Sequence, residues 1–143
     1  MSAYTIYGIV LSLAIHRDAV DDLQSIKAHG ALPDYGVILA FLQQAKADVA
    51  LLESLSEHWF GEDGSANYTV RKVVSFHKQG RRLWRVKVLS LKGLAANYRV
   101  LYAFDPRVQT YYVLAIPPRE IAYDQDHPRI RRLLDVYDKL GIS

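Results

Sequence analysis

The sequence has no cysteine, which excludes disulfides, thiolate metal sites and cysteine nucleophiles and fits a reducing compartment. No apolar run reaches the ~18–20 residues needed to span a bilayer. The most apolar stretch, TIYGIVLSLAI at residues 5–15, lacks the basic flank and small-residue cleavage site of a signal peptide and reads as a buried strand. A soluble, cytoplasmic protein is expected. There is no G-x-S-x-G, no P-loop and no G-x-G-x-x-G. The five histidines show no H-x-x-x-H or H-x-E spacing, so neither a metal site nor a cofactor is expected.

Acidic residues are also scarce, but only in one region. Residues 68–107 carry ten Lys or Arg and a single acid, Asp105, a balance of +9 inside a chain whose net charge is +3. Residues 1–67 carry three basic and nine acidic side chains, and residues 108–143 carry five of each. Such asymmetry points to a polyanion partner, most simply nucleic acid. The alternative is a solvated sheet face that keeps the protein soluble.

What is present suits one domain covering residues 1–143, since half of the 143 residues are hydrophobic and can bury a core without staples. After the first strand, Val20, Leu23 and Ile26 fall at helical spacing, with Asp18 as the expected cap and Gly30 past the end. Pro33 and Asp34 open a second helix. Its stripe of Ile38, Phe41, Leu42, Ala45, Val49 and Leu52 predicts one long helix to Ser56, and the two helices form a hairpin. GEDGSAN, residues 61–67, is a break. Strands are then predicted in YTVRKVVSFH (68–77) and LWRVKVLSL (83–91), joined through Gly80. YRVLYAF and YYVLAI follow as two more strands. Pro117 and Pro118 start an irregular segment, and a C-terminal helix follows Pro128, with Ile130, Leu133, Leu134 and Tyr137 on one face. The fold class is α+β, with helices on one side of a mainly antiparallel, twisted sheet.

Strand alternation sets Trp84, Val86 and Val88 on one face and Arg85 and Lys87 on the other. In NYRVLYAFD, Tyr98, Val100, Tyr102 and Phe104 share a face, and Arg99 lies opposite with Leu101, Ala103 and Asp105. Arg85, Lys87 and Arg99 then occupy an open face where a phosphate backbone can lie, with Arg119 and Tyr123 on a loop above it. Arg71, Lys72, Arg81, Arg82 and Lys92 of the basic block are candidate RNA contacts. Each has a plainer reading: Arg85 and Lys87 as the wet face of a sheet, Arg119 with Glu120 as a surface ion pair, Tyr123 as a core aromatic. His16 and His127 read as helix-start residues, and His77 lies near a strand end.

The succession LWRVKV, NYRVLYAFDP, YYVLAI, REIAYDQDHPRIRRLLDVY resembles the RelE/ParE superfamily of bacterial toxins. Two alternating basic residues, a Y-R-V-Y strand, an aliphatic strand, then a basic residue with a tyrosine four positions on carry the likeness, chiefly over residues 83–127. The resemblance implies a RelE-like fold with an N-terminal helical hairpin and a C-terminal helix. It implies the toxin of a type II toxin–antitoxin system, a ribosome-dependent endoribonuclease that cuts mRNA by 2′-hydroxyl attack without a metal. Arg85, Lys87, Arg99, Arg119 and Tyr123 match the catalytic set. The implied partners are mRNA on the ribosome and a cognate antitoxin in a hetero-oligomer, with no membrane. The chain departs from the pattern in its length, its long second helix, its SLKGLAAN loop, arginine at position 85 where lysine is frequent, and PPRE before the tyrosine. Two alternatives stand beside this: a ParE-like toxin that inhibits DNA gyrase without cutting RNA, and a basic RNA- or protein-binding domain with no catalysis.

Overall fold

A computed structural model describes residues 3–4 and 10–142. Two strands, β1 (Ala3–Tyr4) and β2 (Val10–Ile15), are followed by helices α1 (Arg17–Ala28), α2 (Leu32–Ala45) and α3 (Val49–Ser54). Then come β3 (Tyr68–Lys72), a one-turn helix α4 (Val74–His77), β4 (Trp84–Val88), β5 (Val100–Asp105), β6 (Thr110–Ala115) and α5 (Pro128–Leu140). The class is α+β. The sheet is mixed, in the order β2-β6-β5-β4-β3, with the two-residue β1 added at the β2 edge. Only β2 and β6 run parallel; the other neighbours are antiparallel. Of the strand expected at 5–15, residues 10–15 form β2, and 5–9 lie outside the described residues.

Local chemistry explains where the elements depart from periodicity. The second helix was expected to run unbroken to Ser56, but it stops at Ala45 and restarts as α3. Asp48 adopts extended backbone and its carboxylate accepts from the Leu51 N–H at 3.0 Å, so an N-cap interrupts a continuous apolar stripe. At α1 the cap is His16, whose Nδ1 accepts from the Asp18 N–H; Asp18 itself sits in the first turn. The strand expected over 68–77 ends at Lys72. Val73 still donates to the Leu83 carbonyl, and the chain then turns into α4, which drives Phe76 fully inside and leaves Val74 outside. His77 therefore belongs to a helix rather than to a strand end.

Helices cover both faces of the sheet, not one as expected. Against α1, α2 and α3 lie Val70, Val86, Val88, Val100, Tyr102 and Val113. A second core on the opposite face joins Leu101, Ala103, Leu114 and Ala115 to Phe76, Leu83 and, from α5, Ile130, Leu133, Leu134 and Tyr137. Each such aliphatic side chain contributes about 1.5–3 kcal/mol on burial, so α5 is firmly seated. Its cover reaches β5 and β6. On that same face the rows across β3 and β4 carry Arg71 opposite Arg85 and Thr69 opposite Lys87. This face is not the open one the alternation suggested; it is half covered, and the cations stand beside the covered part.

Candidate nucleic-acid interface

A cavity of about 560 Å³ opens beside α4 over β3 and β4. Arg85, Lys87, Arg99, Arg119 and Tyr123 all line it, as do Arg71 and Lys72. Arg85 and Lys87 arrive from one strand, two residues apart. Arg99 precedes β5. The backbone of residues 97–99 pairs with 117–119: Arg99 N–H donates to the Pro117 carbonyl (2.9 Å), and Arg119 N–H to that of Asn97 (2.8 Å). The double proline lacks N–H groups but keeps its carbonyls, and the Pro118 bridge to Tyr98 holds the Arg119 segment against Arg99. Tyr123, on the turns that follow, is 44% exposed, so it is not a core aromatic.

The cations differ in freedom. Arg85 is only 6% exposed. Its Nη1 donates to Thr69 Oγ1 (2.9 Å) and to the Thr69 carbonyl (3.3 Å), which fixes the guanidinium. Burial pulls its pKa down, yet an arginine stays cationic at any ordinary pH. Arg99 donates through Nη1 to the carbonyls of Ala96 (2.8 Å) and Tyr98 (3.3 Å); among the described residues no carboxylate pairs with it. Lys87 has its pKa lowered, first by burial, then by the Arg85 and Arg99 charges. It is thus a lysine pressed toward its neutral form. Among the described residues, the Arg119 side chain meets only the adjacent Glu120, at 3.3 Å on the surface.

Three site residues were not legible in the sequence. Residues 58–62 run along the outer edge of β3. Trp59 N–H donates to the Val70 carbonyl (2.9 Å), Val70 N–H to that of Phe60 (3.0 Å), and Lys72 N–H to His58 Nδ1 (3.0 Å). A Cβ on Gly61 would collide with the Tyr68 carbonyl oxygen, so only glycine permits this approach. The segment delivers His58 and Trp59 to the cavity wall. It also delivers Glu62, whose Oε1 lies 2.8 Å from Arg71 Nε and 3.8 Å from Arg85 Nη2. The Arg71 hydrogen bond holds the Glu62 carboxyl below its usual range. Two arginines directly across a sheet repel, and Glu62 stands between them. Burial, then the charges of Lys72, Arg71 and Arg85, hold the His58 pKa below its usual value; with Nδ1 accepting from the Lys72 N–H, the ring proton sits on Nε2. The glycine-rich GEDG was the one signal in the sequence that marked this loop.

The other proposed RNA contacts lie elsewhere. Arg81 is clamped to Asp138 of α5 at 3.0 and 2.9 Å. Arg82 and Lys92 are exposed outside this cavity. No described helix is long and apolar enough to cross a membrane. Compared with protein-family models, with curated proteins and with solved structures, the chain matches none.

Proposed function

We propose that the chain is a RelE/ParE-type toxin of a type II toxin–antitoxin pair, a ribosome-dependent endoribonuclease acting on mRNA. One observation carries this reading: Arg85, Lys87, Arg99, Arg119 and Tyr123, drawn from β4, the lead-in to β5 and a distant loop, line a single cavity. That grouping suits phosphoryl chemistry. Arg99 and Arg119 hold the non-bridging oxygens of the scissile phosphate and stabilise the charge that builds there. Arg85, fixed by Thr69, adds field without moving. Lys87, whose pKa is lowered first by burial and then by the Arg85 and Arg99 charges, takes the 2′-hydroxyl proton from its unprotonated form as the 2′ oxygen attacks phosphorus in line. The bond to the 5′ oxygen breaks, that oxygen takes a proton from solvent, and a 2′,3′-cyclic phosphate remains. Tyr123 borders the same phosphate and orients the nucleotide. The cognate antitoxin would cover the basic cavity, and its on-rate would fall steeply with salt.

The test is sequencing of RNA 5′ ends after brief induction, wild type against Arg119→Ala. The reading expects growth arrest with translation-dependent cuts in the wild type and neither in the variant. Intact messages with stalled DNA replication would move the assignment to gyrase inhibition, and an inert protein would leave a non-catalytic binding domain.

A further inference from the structure

Trp59 stands out on two counts. It is a bulky residue held at φ 75°, a backbone region that side chains of its size seldom occupy. It is also 56% exposed on the wall of a cavity, where burial would be its ordinary use. The left-handed turn is imposed by the edge pairing of residues 59 and 60 with Val70 and by the close approach at Gly61. The outcome is an indole presented to the cavity that carries Arg85, Lys87 and Arg99. The Arg71 guanidinium stands over the ring at 4.4 Å from its centroid, and the His58 ring lies 4.4 Å from it, tilted 45°. Backbone strain kept at an exposed aromatic beside a charged cavity is the kind of outlier that clusters at ligand sites.

From this we infer that Trp59 is a base-stacking platform: a nucleobase of the bound RNA packs on the part of the Trp59 indole that the Arg71 guanidinium leaves exposed, while its phosphate occupies the cations. The inference rests on the RNA reading above and deepens it by assigning the base subsite. An indole offers a π-face to any base, so the contact contributes affinity and position with little sequence preference. His58, whose Nδ1 accepts from the Lys72 N–H, leaves its Nε2–H as a donor at the edge of the same platform. Glu62 keeps Arg71 upright by its 2.8 Å hydrogen bond, so the guanidinium stays over the indole.

The experiment uses the full chain and two probes, a labelled 2′-O-methyl triadenylate and its counterpart abasic at every position. Fluorescence anisotropy compares wild type, Trp59→Phe and Trp59→Gly. Wild type is expected to bind the base-bearing probe about tenfold or more tighter than the abasic one, from ~1–3 kcal/mol per stacked base. Trp59→Gly should erase that difference, leave the abasic probe unchanged, and keep or raise the melting temperature, because glycine relaxes φ at this position. Trp59→Phe should retain most of the difference. Equal, salt-sensitive affinity of wild type for both probes would overturn the platform and leave the RNA reading standing, as would undiminished base-dependent binding by Trp59→Gly. Failure of wild type to bind either probe would overturn the platform as a base subsite of the isolated chain, while the RNA reading, which is ribosome-dependent, is decided separately by the 5′-end sequencing above.

Discussion

Two sets of arginines share this small protein, and they are partnered in opposite ways. Arg129, Arg132, Arg81 and Arg107 each have an aspartate of their own: Asp22, Asp18, Asp138 and Asp105. Three of these pairs tie α5 to α1 or to the β3–β4 connection. Arg107 reaches α5 as well, through the Leu140 carbonyl. Around the cavity the ratio inverts. Arg71 and Arg85 share one Glu62, while among the described residues Arg99 meets backbone carbonyls and no carboxylate, and Lys87 is pressed by burial and then by its cationic neighbours. Where charge serves the fold, it is neutralised within hydrogen-bond distance. Where it is left in excess, the described residues supply fewer carboxylates than cations, the imbalance that the proposed polyanion partner would offset.

That contrast is most exposed by substituting one member of each set. On the proposed nuclease function, Arg99→Ala should lower RNA cleavage by about 10²–10³-fold, the usual cost of removing one donor to a developing oxyanion, while leaving chemical denaturation near that of wild type. Arg129→Ala should do the reverse. Its guanidinium donates to both Asp22 oxygens, at 3.1 and 2.8 Å, and to the Leu114 carbonyl, with both partners about four-fifths buried. Removing it strands a carboxylate and should cost about 3 kcal/mol, the low end for a broken buried pair. Cleavage per folded molecule should hold. A cavity arginine that proved the larger stability determinant would erase the distinction.

How much of this contrast the sequence carried depends on the kind of contact. Alternation along WRVKV put Arg85 and Lys87 on one face, and the pair stands there. The +9 block located the region but overstated it, because Arg81 is neutralised by Asp138, far along the chain, and Arg71 pairs with Glu62, just ahead of the block. The two-sided cover of the sheet was partly legible. YYVLAI and RVLYAF are nearly continuous apolar runs, the mark of strands buried on both faces, yet amphipathicity alone did not say which face α5 would take. The 58–62 segment was beyond periodicity altogether. Its position depends on edge pairing with β3 and on one glycine touching backbone, both tertiary facts.

Acid should separate the two regions in a second, smaller way. His58 and His77 both have pKa values held below the usual 6.5, by burial first; for His58 the Lys72 charge follows. A folded pKa below the unfolded one means the unfolded chain binds more protons, so stability is intact above about 6.5 and falls as pH drops beneath it. The aspartates that clamp the fold, Asp18 and Asp138, are also lowered, each chiefly by its arginine hydrogen bond, and their loss begins only below about 3.8. Melting temperature against pH should therefore decline in two stages. His77→Gln should shrink the upper stage, to which His58 still contributes, and leave the lower one, whereas Arg132→Ala should shrink only the lower, where Asp138 remains paired with Arg81. A single decline beginning near pH 4 in the wild type would contradict the histidine stage.

The smallest expected change tests the excess of charge itself. Glu62→Gln keeps the shape of the side chain and removes the one carboxylate that Arg71 and Arg85 share. The pair is partly solvated, so stability should drop by less than about 1 kcal/mol. Binding of an oligonucleotide should tighten several-fold at low salt, because two facing guanidinium groups lose their internal counter-ion and a phosphate takes its place. The gain should shrink as salt rises and the Debye length contracts toward contact distance. The dependence of log affinity on log salt should steepen by close to one phosphate contact, about 0.7–0.9. If Glu62→Gln instead weakened binding at every salt concentration, the carboxylate would be acting through the posture of Arg71 over Trp59, and the cavity would recognise its ligand by shape more than by charge.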